Sequence, residues 1–266
     1  MEGYLDKEVK VGNKIYFKLV LKNGEVLYFN DLNSYDQIVS VKNYQKRLDE
    51  IEKLKEIKLP NIDDLYVAKV ETDPKSKDIY IITFSNGLRL HNADLNGLLS
   101  LSEKITNPDD LHQFINIINT DNINFTYNAQ NNIIKVELKS EPLSIESFIF
   151  KEKLYTTTVT AILSSKERLF IDDFKILQND NTYESTSDLI SKSKSDTTVY
   201  EWTKFILNNQ FVSYINSLND KNVVKVRFYG SRKNVEKKID SKTIAKIKKL
   251  STLNALLAKY FKSGLE

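Results

Sequence analysis

Alternation of apolar and polar residues, the pattern of half-buried strands, dominates the first 183 residues of the chain. Residues 14–29 form two runs of β-branched and aromatic residues around Asn23-Gly24, the dipeptide that most strongly favours a two-residue hairpin turn. The pattern therefore predicts a β-hairpin at this position. The same reasoning predicts three further hairpins, around Asn86-Gly87, from runs 123–127 and 133–138, and from runs 154–163 and 168–177.

Apolar positions spaced three or four residues apart indicate the helices. One such stretch covers about residues 35–57, with charged residues on its other faces, and Pro60 follows it. A second helix is predicted from Asn107, a capping residue, and Pro108, which suits the first helical position. Its apolar stripe consists of Leu111, Phe114, Ile115 and Ile118.

Two segments near the amino terminus resemble each other at an offset of 63 or 64 residues. We interpret them as two related hairpin-helix units, at about residues 1–60 and 61–120. Chance similarity in an Asn-rich chain is the alternative. The matching pairs are Ile15-Tyr16 with Ile79-Tyr80, Asn23-Gly24 with Asn86-Gly87, and Asp31-Leu32-Asn33 with Asp94-Leu95-Asn96.

The carboxy-terminal part reads as a separate module. Serine or threonine occupies eight of the fifteen positions in 184–198, which is typical of a flexible linker. Beyond it the pattern predicts a helix over 200–218, a strand over 223–229 and a closing helix over 244–260. The predicted fold class is α+β, with a hairpin-rich domain at 1–183, a linker at 184–198 and a helix-strand-helix module at 199–266.

Composition narrows the chemistry that the chain can perform. It has no cysteine, which excludes disulfides, thiolate metal sites and cysteine nucleophiles. His91 and His112 lie far apart in sequence, and the Asp109-Asp110 pair is explained by helix capping. No nucleotide-binding or hydrolase motif is present, so we expect a non-enzymatic protein without cofactor or metal. The other paired acids are Asp63-Asp64 and Asp172-Asp173, whose neighbouring side chains would point in opposite directions on a strand.

The amino terminus and the hydropathy pattern give an expectation about location. No apolar run reaches the roughly 18 residues of a membrane-spanning helix. The first residues include acids and lack the basic-then-apolar order of a leader peptide. We therefore expect a soluble, cytoplasmic protein that is not secreted and does not contact a membrane.

Positive charge is concentrated at the carboxy-terminal end. The whole chain carries a net charge of +3, yet residues 221–262 alone carry +11. On the closing helix, Lys242, Lys246 and Lys249 are spaced to share one face. The candidate partner- or phosphate-binding residues are Arg227, Arg232, Lys233, Lys237, Lys238, Lys242, Lys246 and Lys249. The alternative is a solvated face in a protein from a lysine-rich, low-GC genome.

The order of these parts resembles the baseplate hub and tail assembly family of T4-type phages. The likeness lies in the hairpin at Asn23-Gly24, the segment from Lys58 to Tyr66 that contains Leu59-Pro60, and Gln210-Phe211 before the last strand, turn and helix. The family often has paired cysteines in that last turn, and this chain has none. The resemblance implies a structural protein of a phage tail or baseplate, located in the host cytoplasm or the virion.

Two functional hypotheses lead, and an enzyme that uses carboxylates and a metal ion is the remaining alternative. The first is a structural or assembly protein whose basic module binds an acidic protein partner or other assembly subunits, with oligomerisation possible. The second is a protein that binds single-stranded DNA or RNA through the same basic residues.

Overall fold

A computed structural model describes residues 3–11, 14–21, 24–29, 39–76, 79–184, 190–194, 198–219 and 221–263. Within these ranges the chain folds as a mixed α+β protein with mostly antiparallel sheets. The helices are α1 (Val41–Lys55), α2 (Asn92–Lys104), α3 (Pro108–Ile118), α4 (Asn209–Ser217) and α5 (Ser241–Leu257).

The strands form four sheets in the described part of the chain. The first contains β1 (Gly3–Val11), β2 (Lys14–Leu21), β3 (Val26–Phe29) and β4 (Val39–Ser40), and the second contains β5 (Val67–Thr72), β6 (Tyr80–Phe84) and β7 (Arg89–His91). The seven-stranded sheet contains β8 (Ile123–Asn128), β9 (Ile133–Leu138), β10 (Leu143–Phe150), β11 (Lys153–Ser165), β14 (Ile190–Lys194), β15 (Val199–Ile206) and β18 (Lys262–Ser263). The fourth sheet has the order β13 (Asn181–Glu184), β12 (Ile171–Gln178), β16 (Val224–Gly230) and β17 (Val235–Ile239).

Three of the four predicted hairpins are confirmed, because β2 pairs with β3, β6 with β7 and β8 with β9. Gly24 and Gly87 have φ angles of +82° and +87°, the left-handed conformation that a tight turn requires and that glycine adopts without cost. The turn residue Asn23 and the matching segment 31–33 lie outside the described residues. The first predicted helix is found at 41–55, and its expected start at 35–38 also lies outside them.

Helices cover one face of the seven-stranded sheet. The ring of Phe114 in α3 meets Phe125 of β8 edge-on, and α5 packs against β9 and β10. The Asn107 side chain accepts the backbone N–H of Asp110 at 3.1 Å and caps α3 as predicted. This packing contributes to one hydrophobic core that extends from Leu59 to Phe261 and includes residues of the second, the seven-stranded and the fourth sheets.

Two secondary-structure predictions are wrong. Residues 199–206, expected to begin a helix, form β15, because long-range pairing with β11 overrides the local helical spacing. Runs 154–163 and 168–177 are both strands, but they do not pair with each other. The first lies in the seven-stranded sheet between β10 and β15, whereas the second pairs with β13 and β16.

The predicted linker at 184–198 does not separate the sheets. Its residues 190–194 form β14, which pairs with β15, whereas 185–189 and 195–197 lie outside the described residues. Strands from both sides of this segment hydrogen-bond to each other, β11 with β15 and β12 with β16. The carboxy-terminal residues therefore share their sheets with the middle of the chain, where the pattern predicted a separate module.

An aromatic cluster joins the seven-stranded sheet to the fourth sheet. Phe205 of β15 stacks on Phe174 of β12 with ring centroids 5.8 Å apart, and it also contacts Tyr183 and Phe211. Burial raises the pKa of the nearby Tyr214 to about 12, and its hydroxyl donates to the carbonyl of Ile176 at 2.9 Å. Among the described residues, no helix combines the length and the apolar character needed to cross a membrane.

Candidate functional site

Arg227 lies on the outer face of the fourth sheet, where it is tied to a carboxylate. Its guanidinium donates two hydrogen bonds to Glu236 on β17, directly across the strand pair, and Lys225 donates a third at 2.8 Å. These contacts with Lys225 and Arg227 hold the pKa of Glu236 below its usual range. Arg227 is therefore largely neutralised within its own sheet and is a weak candidate for binding an external anion.

Four of the predicted lysines lie on two consecutive elements, Lys237 and Lys238 on β17 and Lys242 and Lys246 on α5, and we call them the lysine corner. Lys237 and Lys238 are neighbours on a strand, so their side chains point to opposite sides of the sheet. None of the four has a carboxylate within 4.0 Å among the described residues. Asp240 lies between the two elements, but its side chain accepts the backbone N–H of Thr243 at 2.7 Å and caps α5. This Thr243 contact lowers the pKa of Asp240.

Of the other three predicted residues, Lys249 also lies on α5, whereas Arg232 and Lys233 lie in a turn of the fourth sheet. Lys249 reaches the Thr120 hydroxyl at 3.2 Å, across the α3–α5 contact. Arg232 and Lys233 lie in the turn between β16 and β17, facing the loop that leads from β11 to β12. The eight residues therefore do not form one continuous basic face, although the lysine corner keeps four of them on consecutive elements.

A second surface, which the sequence reasoning missed, is the face of the seven-stranded sheet opposite to the helices; we call it the open face. It contains a groove of about 550 Å³ lined by Ile162 of β11 and by Tyr200 and Trp202 of β15. Ile206, at the end of β15, is 55% exposed. Further along the sheet, the rings of Phe150 and Tyr155 lie 5.8 Å apart.

Charged side chains cross the same face. Glu146 accepts hydrogen bonds from Lys204 at 2.8 Å and from the Thr158 hydroxyl at 3.2 Å, and it lies 3.3 Å from Lys135. Burial by itself would raise the pKa of Glu146, but the two ammonium groups outweigh it and lower that pKa. Lys135 also contacts Glu137, which is almost fully buried.

The sequence signal for the open face is the alternation of inward-facing and outward-facing residues along β15. Val199, Glu201 and Thr203 are buried, whereas the residues between them point to the groove. The aromatic residues Tyr200 and Trp202 are two positions apart, a spacing that places them on one side of a strand. The same stretch also fits helical spacing, which concealed its strand periodicity.

The histidines and the paired acids are dispersed. His91 lies 3.5 Å from Asp73 through Nε2 and 3.8 Å from Asp94 through Nδ1, while His112 lies 3.3 Å from Asp64. Burial raises the pKa of Asp94, which accepts the backbone N–H of Tyr127 at 2.8 Å. Within the described ranges, no group of three or more His, Asp or Glu side chains is arranged to hold a metal ion.

The remaining paired acids have structural contacts. Asp110 accepts from Lys259 at 2.8 Å and from the Tyr260 hydroxyl at 2.6 Å, so that it joins α3 to the end of the chain. These two partners lower the pKa of Asp110. Asp173 accepts the backbone N–H of Phe174.

Comparisons with protein-family models, with curated proteins and with solved structures find no match for this chain. The lysine corner and the open face are the two candidate binding surfaces.

Proposed function

We propose that this chain is a non-enzymatic structural or assembly protein that binds another protein subunit through the open face of its seven-stranded sheet. The observation that carries the proposal is the row of aromatic and apolar side chains on that face, centred on Ile162, Tyr200 and Trp202.

The composition of the open face supports this proposal. An antiparallel sheet that is covered on one side normally presents polar residues to water on the other. Here the exposed side also presents Trp202, Tyr200 and Ile206 among its charged and polar residues. Protein interfaces are enriched in such aromatic residues at their centres and have polar rims. The exposed ammonium groups of Lys139 and Lys204, which pair with Glu137 and Glu146, lie beside this apolar centre, as expected of a polar rim.

The lysine corner supplies the charge for the first hypothesis. Four ammonium groups without a nearby carboxylate attract an acidic surface and increase the rate of association with it. The resemblance of the sequence to the phage baseplate hub and tail assembly family suggests tail or baseplate subunits as partners, in the host cytoplasm or the virion.

Site-specific photo-crosslinking tests the proposal. Benzoylphenylalanine replaces Tyr200 on the open face in one variant and Tyr66, which is 60% exposed on the β5 side of the molecule, in the matched control. Each variant is produced in cells of the organism that encodes this protein, so that its natural partners are present. The cells are then irradiated to form the crosslinks. We expect a discrete protein adduct from position 200 that position 66 does not give. No adduct from position 200, or the same adducts from both positions, would contradict the proposal.

A second candidate function, binding of single-stranded DNA or RNA, is supported by the lysine corner alone. Fluorescence anisotropy of a labelled oligonucleotide tests it with the double variant Lys242→Ala/Lys246→Ala. Lys69→Ala/Lys104→Ala is the charge-matched control, because both of these lysines are ion-paired elsewhere. We expect the corner variant to lower the slope of log affinity against log salt by about 0.7 for each phosphate that it no longer neutralises. Equal slopes in the two variants would show that the lysine corner does not contact the nucleic acid, and absence of binding by the wild type would reject this candidate.

We also propose that the two amino-terminal hairpin-helix units, at about residues 1–60 and 61–120, arose by duplication of one unit. The similar turns at Gly24 and Gly87, each followed by a helix, support the relation.

A further inference from the structure

The loop that joins β11 to β12 and the turn that joins β16 to β17 meet at one end of the fourth sheet. At the meeting point, two arginines contact the ring of Phe170: the guanidinium carbon of Arg232 lies 5.0 Å from the centre of the ring, and that of Arg168 lies 5.7 Å away. We call these three residues the arginine tip. Lys166 and Lys233 are exposed on the same two segments.

A buried carboxylate supports the tip from below. Glu201 of β15 is 1% exposed and accepts two backbone hydrogen bonds, from Leu169 at 2.8 Å and from Ile171 at 3.1 Å. The residue between these two donors, Phe170, is thereby directed outward. Its carbonyl accepts the backbone N–H of Ser231 at 3.2 Å, which joins the loop to the turn.

The backbone at the tip is strained. Phe170 has a φ angle of +55°, and its side chain is 37% exposed. A bulky residue in the left-handed region is a conformational outlier, and such strain is found preferentially where a side chain has a function. Burial of an aromatic ring would offset the strain, but this ring is only partly buried. The fold therefore keeps Phe170 at the surface at a cost.

No carboxylate of the described residues neutralises the two arginines of the tip. Among the described residues, neither Arg168 nor Arg232 has a carboxylate within 4.0 Å, whereas Lys233 lies 3.2 Å from Glu167. Only five of the 39 basic residues are arginines, so two of five contact one ring. Arginine differs from lysine in its planar guanidinium, which stacks on aromatic rings and binds phosphate with two parallel hydrogen bonds.

We propose that the arginine tip is a binding site for single-stranded nucleic acid, in which bases stack on the ring and guanidinium planes while the guanidinium N–H groups bind the phosphates. Stacking on aromatic and arginine planes combined with phosphate contacts is how proteins hold unpaired bases. An acidic protein would use the charges but not the stacking planes. This proposal rests on the second candidate function, binding of single-stranded DNA or RNA. It places that binding at a site separate from the lysine corner.

The test is an anisotropy titration of a labelled oligothymidylate of about 20 nucleotides, longer than a typical binding site. Two variants remove the stacking groups and keep the charge: Arg168→Lys/Arg232→Lys, and Phe170→Leu. The matched control is Arg89→Lys, a charge-conserving change at an exposed arginine on β7. Thermal unfolding of each variant verifies that it is folded at the titration temperature.

We expect both tip variants to bind at least about five-fold more weakly than the wild type, the lower end of what one stacked base contributes, and the control to bind like the wild type. If the tip variants bind like the wild type while the lysine-corner variant is impaired, the tip proposal is wrong and the second candidate function stands. If the wild type does not bind the oligonucleotide even at low salt, both are wrong. Equally tight binding of a labelled oligoglutamate, weakened by the same tip variants, would assign the tip to acidic proteins and overturn the proposal.

Discussion

Arg227 and Arg232 lie five positions apart on one hairpin and are in opposite electrostatic situations. Arg227, on β16, faces Glu236 across the strand pair and donates two hydrogen bonds to it. Arg232, in the turn, has no such partner among the described residues and lies over the ring of Phe170. Both contribute equally to the +11 of the carboxy-terminal segment, yet only Arg232 keeps its charge available.

This difference shows that the register of a β-ladder decides which charges a protein can offer to a partner. Directly opposed residues on an antiparallel pair interact, so a carboxylate at 236 neutralises the cation at 227. A turn has no opposing strand, and its side chains meet whatever loop lies nearby. At this hairpin, the nearby loop brings an aromatic ring instead of an acid.

The largest expected effect comes from removing the carboxylate of Glu201, which holds the loop that carries Phe170 beneath Arg232. Glu201→Ala leaves the backbone N–H groups of Leu169 and Ile171 without an acceptor in a buried place. Each unsatisfied buried donor costs about 1–3 kcal/mol, so for the two donors we expect the free energy of unfolding to fall by roughly 2–6 kcal/mol. Urea unfolding followed by circular dichroism measures the change.

Glu201→Gln is the control for this prediction. It keeps the shape of the side chain and one amide oxygen as an acceptor, so we expect at most about half of the loss. If the alanine variant unfolds at the same urea concentration as the wild type, Glu201 does not hold the loop. Other contacts would then have to place Phe170 beneath Arg232.

The next largest effect is expected at Gly230, where the hairpin approaches the loop. A Cβ atom at this position would lie 2.6 Å from the carbonyl oxygen of Leu169, which belongs to the backbone and cannot rotate away. We expect Gly230→Ala to destabilise the protein by about 1–3 kcal/mol, the usual cost of overpacking. Ser231→Ala, at the exposed neighbouring position, is the control and should leave the urea midpoint unchanged. Similar midpoints for both variants would contradict the close approach.

Local signals predicted much of the fold. Asn107-Pro108 marked the start of α3, and the asparagine-glycine dipeptides marked turns, because a cap or a left-handed turn depends on a few adjacent residues. Strand partners depend on residues far apart in sequence. The pairing of β11 with β15 and of β12 with β16 was therefore missed, and with it the inclusion of 199–206 in the large sheet.

The candidate sites show the same difference between features set by adjacent residues and features set by residues far apart in sequence. Lys242, Lys246 and Lys249 lie on one helix, as their spacing predicted, since helical spacing is local. The neutralisation of Arg227 by Glu236 and the meeting of Arg168 with Arg232 over Phe170 required the sheet register and the loop path. Charge counted along the chain could therefore locate a basic segment but not the residues within it that are available for binding.

A smaller effect is expected from relieving the strain that holds the ring beneath Arg232. Phe170 has a φ angle of +55°, and a Cβ atom in that region costs about 1–2 kcal/mol. Phe170→Gly and Phe170→Ala both remove the ring, but only glycine removes the Cβ atom. We expect the glycine variant to be more stable than the alanine variant by about 1 kcal/mol, the reverse of the usual order. Urea unfolding of the pair measures the difference, and an alanine variant of equal or greater stability would argue against strain.

The smallest effect on stability is expected at Glu236, whose removal makes Arg227 resemble Arg232. The pKa of Glu236 is lowered by Lys225 and Arg227, so its contribution is present above its ordinary value of 4.5 and is lost as the pH falls below it. We therefore expect Glu236→Gln to melt slightly below the wild type at neutral pH and the two melting curves to converge in acid. The same substitution frees two cations, and if the chain binds single-stranded DNA, the salt slope should steepen by about 0.7 for each additional phosphate that is neutralised. Unchanged slopes together with a constant melting difference at every pH would mean that Glu236 does not neutralise Arg227.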